Sequence, residues 1–171
     1  MSHVQLAYVL SGGQTGADQA GLRAAAACGV ATSGMMPRGC HTDAGDRPDL
    51  AGTFNLRVSR FDGYAPRTRW NVKNSGGTIW FGDVTSPGGR LTEDTAHTYQ
   101  KPFLVVPYDG VAQPPDHVLL ANARGIRYWL DVHQITCVNI AGNRERLSPG
   151  IGSWVEQILT HAFSASEPLD L

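Results

Sequence analysis

The chain is predicted to be an α/β protein: one Rossmann-like domain built on an open, mainly parallel sheet of about five strands with helices on both faces. Three observations carry this. Short apolar runs alternate with stretches of helical periodicity along the chain. A glycine turn, Ser11-Gly12-Gly13-Gln14-Thr15-Gly16, joins the first apolar run to an alanine-rich stretch. A second one, Ser86-Pro87-Gly88-Gly89, stands before another helix. In such sheets ligands lie beyond the carboxyl ends of the strands, where both turns fall.

The elements follow in order. Residues 6–10 read as the first strand and 17–28 as the first helix. Segment 33–52, rich in Gly, Pro and Asp, is too long for an ordinary connection, and loops of that length are usually functional. A short strand is expected at 55–58, then a polar stretch containing Arg67, Thr68, Arg69 and Asn71, then a strand at 78–81. Thr92-Glu93-Asp94 reads as the capped, acidic start of a helix that Lys101-Pro102 closes. The continuous apolar run 103–106 reads as a central strand covered on both faces. A helix over 116–130 shows apolar residues at helical spacing, 135–140 reads as the last strand, and 151–163 as the last helix.

At 171 residues the chain fits a single domain over 1–165, burying roughly 70% of its unfolded surface, with a frayed tail at 166–171. The net charge is −1 and Lys and Arg are scattered, so nucleic-acid and membrane-surface binding are not expected. Three cysteines without C-x-x-C spacing argue against a disulfide framework and structural zinc. With no leader-like start and no apolar run near the ~18 residues of a membrane span, a cytoplasmic location is expected.

The first glycine turn has the strand, turn and helix context of an anion site, because glycines permit close main-chain approach and a helix N-terminus favours phosphate. It lacks the Lys-Ser or Lys-Thr pair of a triphosphate loop and the spacing of a dinucleotide fingerprint; the alternative is a tight turn without ligand. Gly12, Gly13, Gln14, Thr15 and Gly16 are the first candidate binding residues. Asp18 either bonds a ligand donor or complements the helix dipole. Arg38, Arg67 and Arg69 are the basic side chains expected near the crevice, since Arg meets phosphate through a planar fork. Asn71 either reads a heterocycle edge with its amide or caps the segment before the third strand. His41 to Asp46 with Asp49 resembles a metal loop only superficially, because the spacing is not that of a calcium loop. There is no G-x-S-x-G elbow, and Cys40 is expected to be buried or incidental.

These segments, in this order, resemble the molybdenum carrier proteins, which group with the Rossmann-like superfamily containing the lysine decarboxylase-like phosphoribohydrolases. The resemblance runs through Ser11 to Asp18; Arg67-Thr68, Asn71-Val72, Ser75 and Gly77-Thr78; Ser86-Pro87-Gly88 with Arg90-Leu91-Thr92; and Asn139 to Gly142 with Arg144-Glu145 and Ser148-Pro149-Gly150. It departs at Ala44, Asn74 and Gly76, where acids are usual, and at Gly89, where Thr is usual. The resemblance implies a homo-oligomeric carrier of molybdenum cofactor, a phosphorylated pterin dithiolene, with a molybdoenzyme as client. It adds Ser75, Gly88, Gly89 and Thr92 to the candidate binding residues.

Three functions stand against one another. The first is non-catalytic storage or delivery of a phosphorylated cofactor. The second is hydrolysis of nucleoside monophosphates, as in the related phosphoribohydrolases; their P-G-G-x-G-T-x-x-E motif meets Leu91 in place of glycine and Thr95 in place of glutamate, and Glu93 falls about 200° from the required face. The third is a nucleotide-sensing or purely scaffolding domain whose ligand site is vestigial.

Overall fold

In a computed structural model that describes residues 3–164, the chain enters through β1 (Tyr8–Ser11), turns at the glycines and continues as α1 (Ala17–Ala27). β2 (Ala31–Ser33) returns beside β1. Segment 33–52 is a chain of small elements: β3 (Met35–Met36), a 3-10 turn at Arg38–Cys40, a hairpin of β4 (His41–Thr42) and β5 (Gly45–Asp46), and α2 (Pro48–Thr53). β6 (Arg57–Val58) pairs in parallel with β3. Then come α3 (Ala65–Asn74), β7 (Gly77–Phe81), α4 (Pro87–Thr98), β8 (Phe103–Val106), α5 (Asp116–Val132), β9 (Cys137–Gly142) and α6 (Ile151–Phe163). The expected tail at 166–171 lies outside the described residues.

The main sheet has five strands, all parallel, in the order β2-β1-β9-β7-β8. The last strand of the chain is therefore the central one. Counted from β9 instead of β1, the order becomes 3-2-1-4-5, that of a doubly wound sheet. The fold is thus a Rossmann-like sheet whose first strand and helix come from the C-terminal end of the chain. Strand order reverses between β9 and β7, which puts the ligand crevice above their carboxyl ends.

The two faces differ in chemistry. Val9, Ile79, Phe81, Val138 and Ile140 pack against α1, α5 and α6 in one apolar core. Phe81 meets Trp154 of α6 edge-to-face, with centroids 5.9 Å apart, a geometry that adds about 0.5–1.5 kcal/mol beyond area burial. The opposite face carries Thr78, Trp80 and Asn139 beneath α3 and α4, whose inward residues include the buried Thr68, Asn71, Thr92 and Thr95. A polar layer inside an α/β sandwich costs stability unless its groups are satisfied, so this face is the one to search for a site.

Four expectations need correction. The strand expected at 55–58 is not in the main sheet: only Arg57–Val58 is extended, in a separate two-stranded ladder, and Asn55 has φ 54°. The edge position belongs to Ala31–Ser33, too short and polar to give an apolar signal. The run 103–106 is not central but the other edge, with Val105 36% exposed. The polar stretch around Arg67 is helix α3, begun by Pro66 in its first turn, where proline is tolerated. Finally, α4 starts at Pro87, not Thr92: Ser86 is the N-cap, its Oγ accepting from Gly89 N at 3.2 Å.

Candidate functional site

The carboxyl ends of β1, β7 and β9, roofed by α3 and the start of α4, enclose a cavity of about 290 Å³, near the lower end of small-molecule sites. Gln14, Asp18, Arg67, Asn71, Gly88 and Thr92 from the candidate set line it. Beside them stand Tyr64, Trp80, Asn139, Asn143 and Arg144, none of which was in that set. Asn139 and Arg144 do lie within the C-terminal motif of the family resemblance; Trp80 and Tyr64 have no motif signal, since aromatic residues on a strand and before a helix read as core.

The first glycine turn is occupied in part by the protein's own groups, although Gln14 Nε2 and Thr15 Oγ1 there have no partner among the described residues. Asp18 is buried and accepts from Gln14 N at 3.2 Å, and Arg67 Nη1 lies 3.4 Å from the same carboxylate oxygen. Thr15 N donates to Gln14 Oε1 and Ala17 N to Asn143 O. The glycines permit close approach by protein groups: a Cβ on Gly12 would lie 2.0 Å from Arg67 Nη1, and one on Gly16, at φ +83°, 2.5 Å from Asn143 O. Gly13 is packed against Met36 in the same way. Asp18 therefore sits where the turn would otherwise cradle an anion. Burial pushes its carboxyl above the usual range, and Arg67 with the Gln14 N–H counteracts this in part.

The second turn is the open one. Pro87 has no N–H, Gly89 N is taken by Ser86 Oγ and Arg90 N by Ser86 O. Gly88 N–H has no partner among the described residues, and space lies beside its Cα, the nearest atom to an added Cβ being Trp80 Cη2 at 3.7 Å. At α6 the comparable groups are closed off by Glu145, which accepts from Gly150 N at 2.6 Å and Gly152 N at 2.9 Å. At the start of α4 the Gly88 N–H is thus left without a partner among the described residues, on a residue that lines the cavity, and there the helix dipole favours an anion.

Three cavity-lining side chains each carry a buried donor with no protein partner: Gln14 Nε2, Arg67 Nε and Trp80 Nε1. Buried donors are satisfied in all but a few cases, and each one left alone costs about 1–3 kcal/mol. That three such donors belong to side chains lining one cavity favours an acceptor-rich ligand there. Above them Tyr64 stacks with Arg144, whose guanidinium carbon is 4.8 Å from the ring centroid, and with Arg67 at 5.7 Å. Arg144 also donates to Asp43 at 2.7 Å, and Asp43 N donates to Gln14 Oε1 at 2.8 Å. The β4–β5 hairpin is thereby tied to the rim.

The other candidates stand apart from the cavity or are already engaged. Asn71 lines it, but its amide accepts from Met35 N at 2.8 Å and donates to Met35 O at 3.1 Å, so its hydrogen-bonding edge fixes β3. Thr92 Oγ1 donates to Gly88 O at 2.7 Å. Ser75 donates to Val72 O, and Gly89 is wedged against the Val84 backbone. Arg38 is exposed and pairs with Asp62 at 3.5 Å. In the hairpin Asp43 pairs with Arg144 and Arg146 and Asp46 with His41, and at the start of α2 Asp49 pairs with Arg47; among the described residues no cluster of three or more metal-ligating side chains occurs. Cys40 is buried in an apolar cluster with Leu22, Met36 and Leu56, and burial pushes its thiol pKa up.

A permuted Rossmann-like sheet with a polar crevice at its switch point defines the class of protein, and comparison with known sequences refines it. The profile of the circularly permutated YpsA SLOG family matches residues 9–163, so the chain belongs to that family. The crystal structure of the protein named "Putative molybdenum carrier protein" from Syntrophus aciditrophicus SB superposes with a TM-score of 0.83 at 32% identity, covering 96% of this chain and 98% of that one. No curated protein matches the chain. Among the described residues no helix is long and apolar enough to cross a membrane.

Proposed function

We propose that the protein binds a phosphorylated, flat heterocyclic small molecule in this cavity, with the phosphate at the start of α4 and the ring against the sheet, and holds it for storage or delivery. The observation that carries this is that three side chains lining one cavity, Gln14, Arg67 and Trp80, each hold an unpaired buried donor, beside the unpartnered Gly88 N–H at the start of α4. Gly88 N–H, Arg67 and Arg144 supply the positive field a phosphate requires.

Molybdenum cofactor is a ligand of this description, and the likeness to the solved carrier supports it as the cargo. The chain would hold its phosphate and pterin, not its metal: Cys28, Cys40 and Cys137 are outside the cavity lining. Hydrolysis of nucleoside monophosphates is the weaker reading. Thr95 stands where those enzymes have glutamate, its hydroxyl engaged with Leu91 O at 2.6 Å, and Glu93 does not line the cavity.

The test is metal analysis with pterin oxidation fluorescence on protein purified anaerobically from a host that makes molybdenum cofactor. Molybdenum and pterin are expected in matched amounts and are expected to be absent from Gly88→Asp. Well-folded wild-type protein carrying neither would remove this cofactor as cargo.

A further inference from the structure

We propose that Asn139 and Trp80 set the ring specificity of the cavity, selecting heterocycles with an oxo group beside a ring N–H over those with an amino group beside a bare ring nitrogen. This rests on the binding function proposed above. Asn139 lies three residues before the end of β9, about 10 Å below the rim at ~3.3 Å per residue, and is 2% exposed. Its Nδ2 donates to Thr78 Oγ1 at 3.2 Å, the residue directly opposite it on β7. That bond orients the amide, and its Oδ1 accepts no hydrogen bond from the described residues.

Trp80 is two residues further along β7, on the same face, and carries the unpaired buried Nε1. Its register partner is Ala141, a small side chain, and Trp80, Asn139 and Ala141 all line the cavity. The floor thus presents one donor and one acceptor a single diagonal step apart. An oxo group accepts from Trp80 Nε1–H while the adjacent ring N–H donates to Asn139 Oδ1. An amino-bearing ring sets donor against donor and acceptor against acceptor, leaving buried groups unpaired.

IMP and AMP differ at these two ring positions alone, and ribose 5-phosphate has no ring to read. Calorimetric titration of all three into wild type, Trp80→Phe and Asn139→Leu tests the assignment. The wild type is expected to prefer IMP over AMP by about tenfold or more. Both variants are expected to bring the two within about threefold while binding ribose 5-phosphate as the wild type does. Trp80→Phe keeps the ring and so remains informative if Asn139→Leu does not fold. Equal wild-type affinity for IMP and AMP, with ribose 5-phosphate bound, overturns the specificity assignment and leaves the binding function standing. Uniform weakening of all three ligands in Trp80→Phe does the same. Failure of the wild type to bind any of them overturns both.

Discussion

Asp18 shows how a single residue changes the meaning of a motif. In sequence it follows a glycine turn and falls in the first turn of a helix, a position at which an acid complements the dipole. In the structure it is enclosed, held by Gln14 N–H and Arg67, and turns the loop into a site for the protein's own carboxylate. Because burial raises its pKa in the fold, the folded state binds a proton more tightly than the unfolded chain. Its contribution to stability is then fully present below the ordinary aspartate range and is lost as pH rises through the folded value. Denaturant midpoints measured from pH 4 to pH 8 are expected to fall more steeply with pH in the wild type than in Asp18→Asn. Parallel slopes would mean that Asp18 is no more easily protonated in the fold than in the unfolded chain.

At the scale of elements, α3 and α4 explain why part of the site was hidden. A helix is found in sequence by an apolar stripe, and α3 has none, because the side it turns inward carries Thr68 and Asn71 along with Val72. The same polarity that gives the cavity its character removes the signal for the element that builds it. The start of α4 was misplaced for a related reason: Ser86-Pro87-Gly88-Gly89 has the composition of a turn, yet Ser86 caps and Pro87 opens the helix. Arg67, Gln14 and Gly88 were legible because their residue types and motif spacing point to phosphate. Trp80 and Tyr64 were not, since nothing local distinguishes an aromatic residue facing a cavity from one facing the core. The position of Gly88 makes a separable variant. Gly88→Asp adds an acid to the first turn of α4, its Cβ in ordinary contact with Trp80 Cη2 at 3.7 Å, which is expected to hold or raise stability by about 0.3–1 kcal/mol. A thermal melt well below that of the wild type would show that the glycine is required by the fold itself.

For the whole molecule, alternating strands and helices gave the fold class and the number of sheet strands, but not the order, because pairing between the first and last strands of the chain leaves no local trace. With β9 at the centre, β8 becomes an edge. Its Phe103, Leu104 and Val105 are partly exposed, and Tyr99 nearby is 41% exposed. An apolar run on an open edge is a template for pairing with another chain, which makes β8 the surface we propose for self-association. Light scattering at micromolar concentration is expected to show an oligomer for the wild type, with the dissociation constant raised by about tenfold or more in Val105→Lys. An unchanged assembly state would place the interface elsewhere.

On the function proposed here, the start of α4, and not the first glycine turn, receives the phosphate. Calorimetric comparison of IMP with inosine, in the wild type and in Gly88→Asp, tests it most directly. The wild type is expected to bind IMP at least about a hundredfold more tightly than inosine, and this difference is expected to disappear in Gly88→Asp while the protein stays folded. Tight phosphate-dependent binding that survives in Gly88→Asp would contradict it.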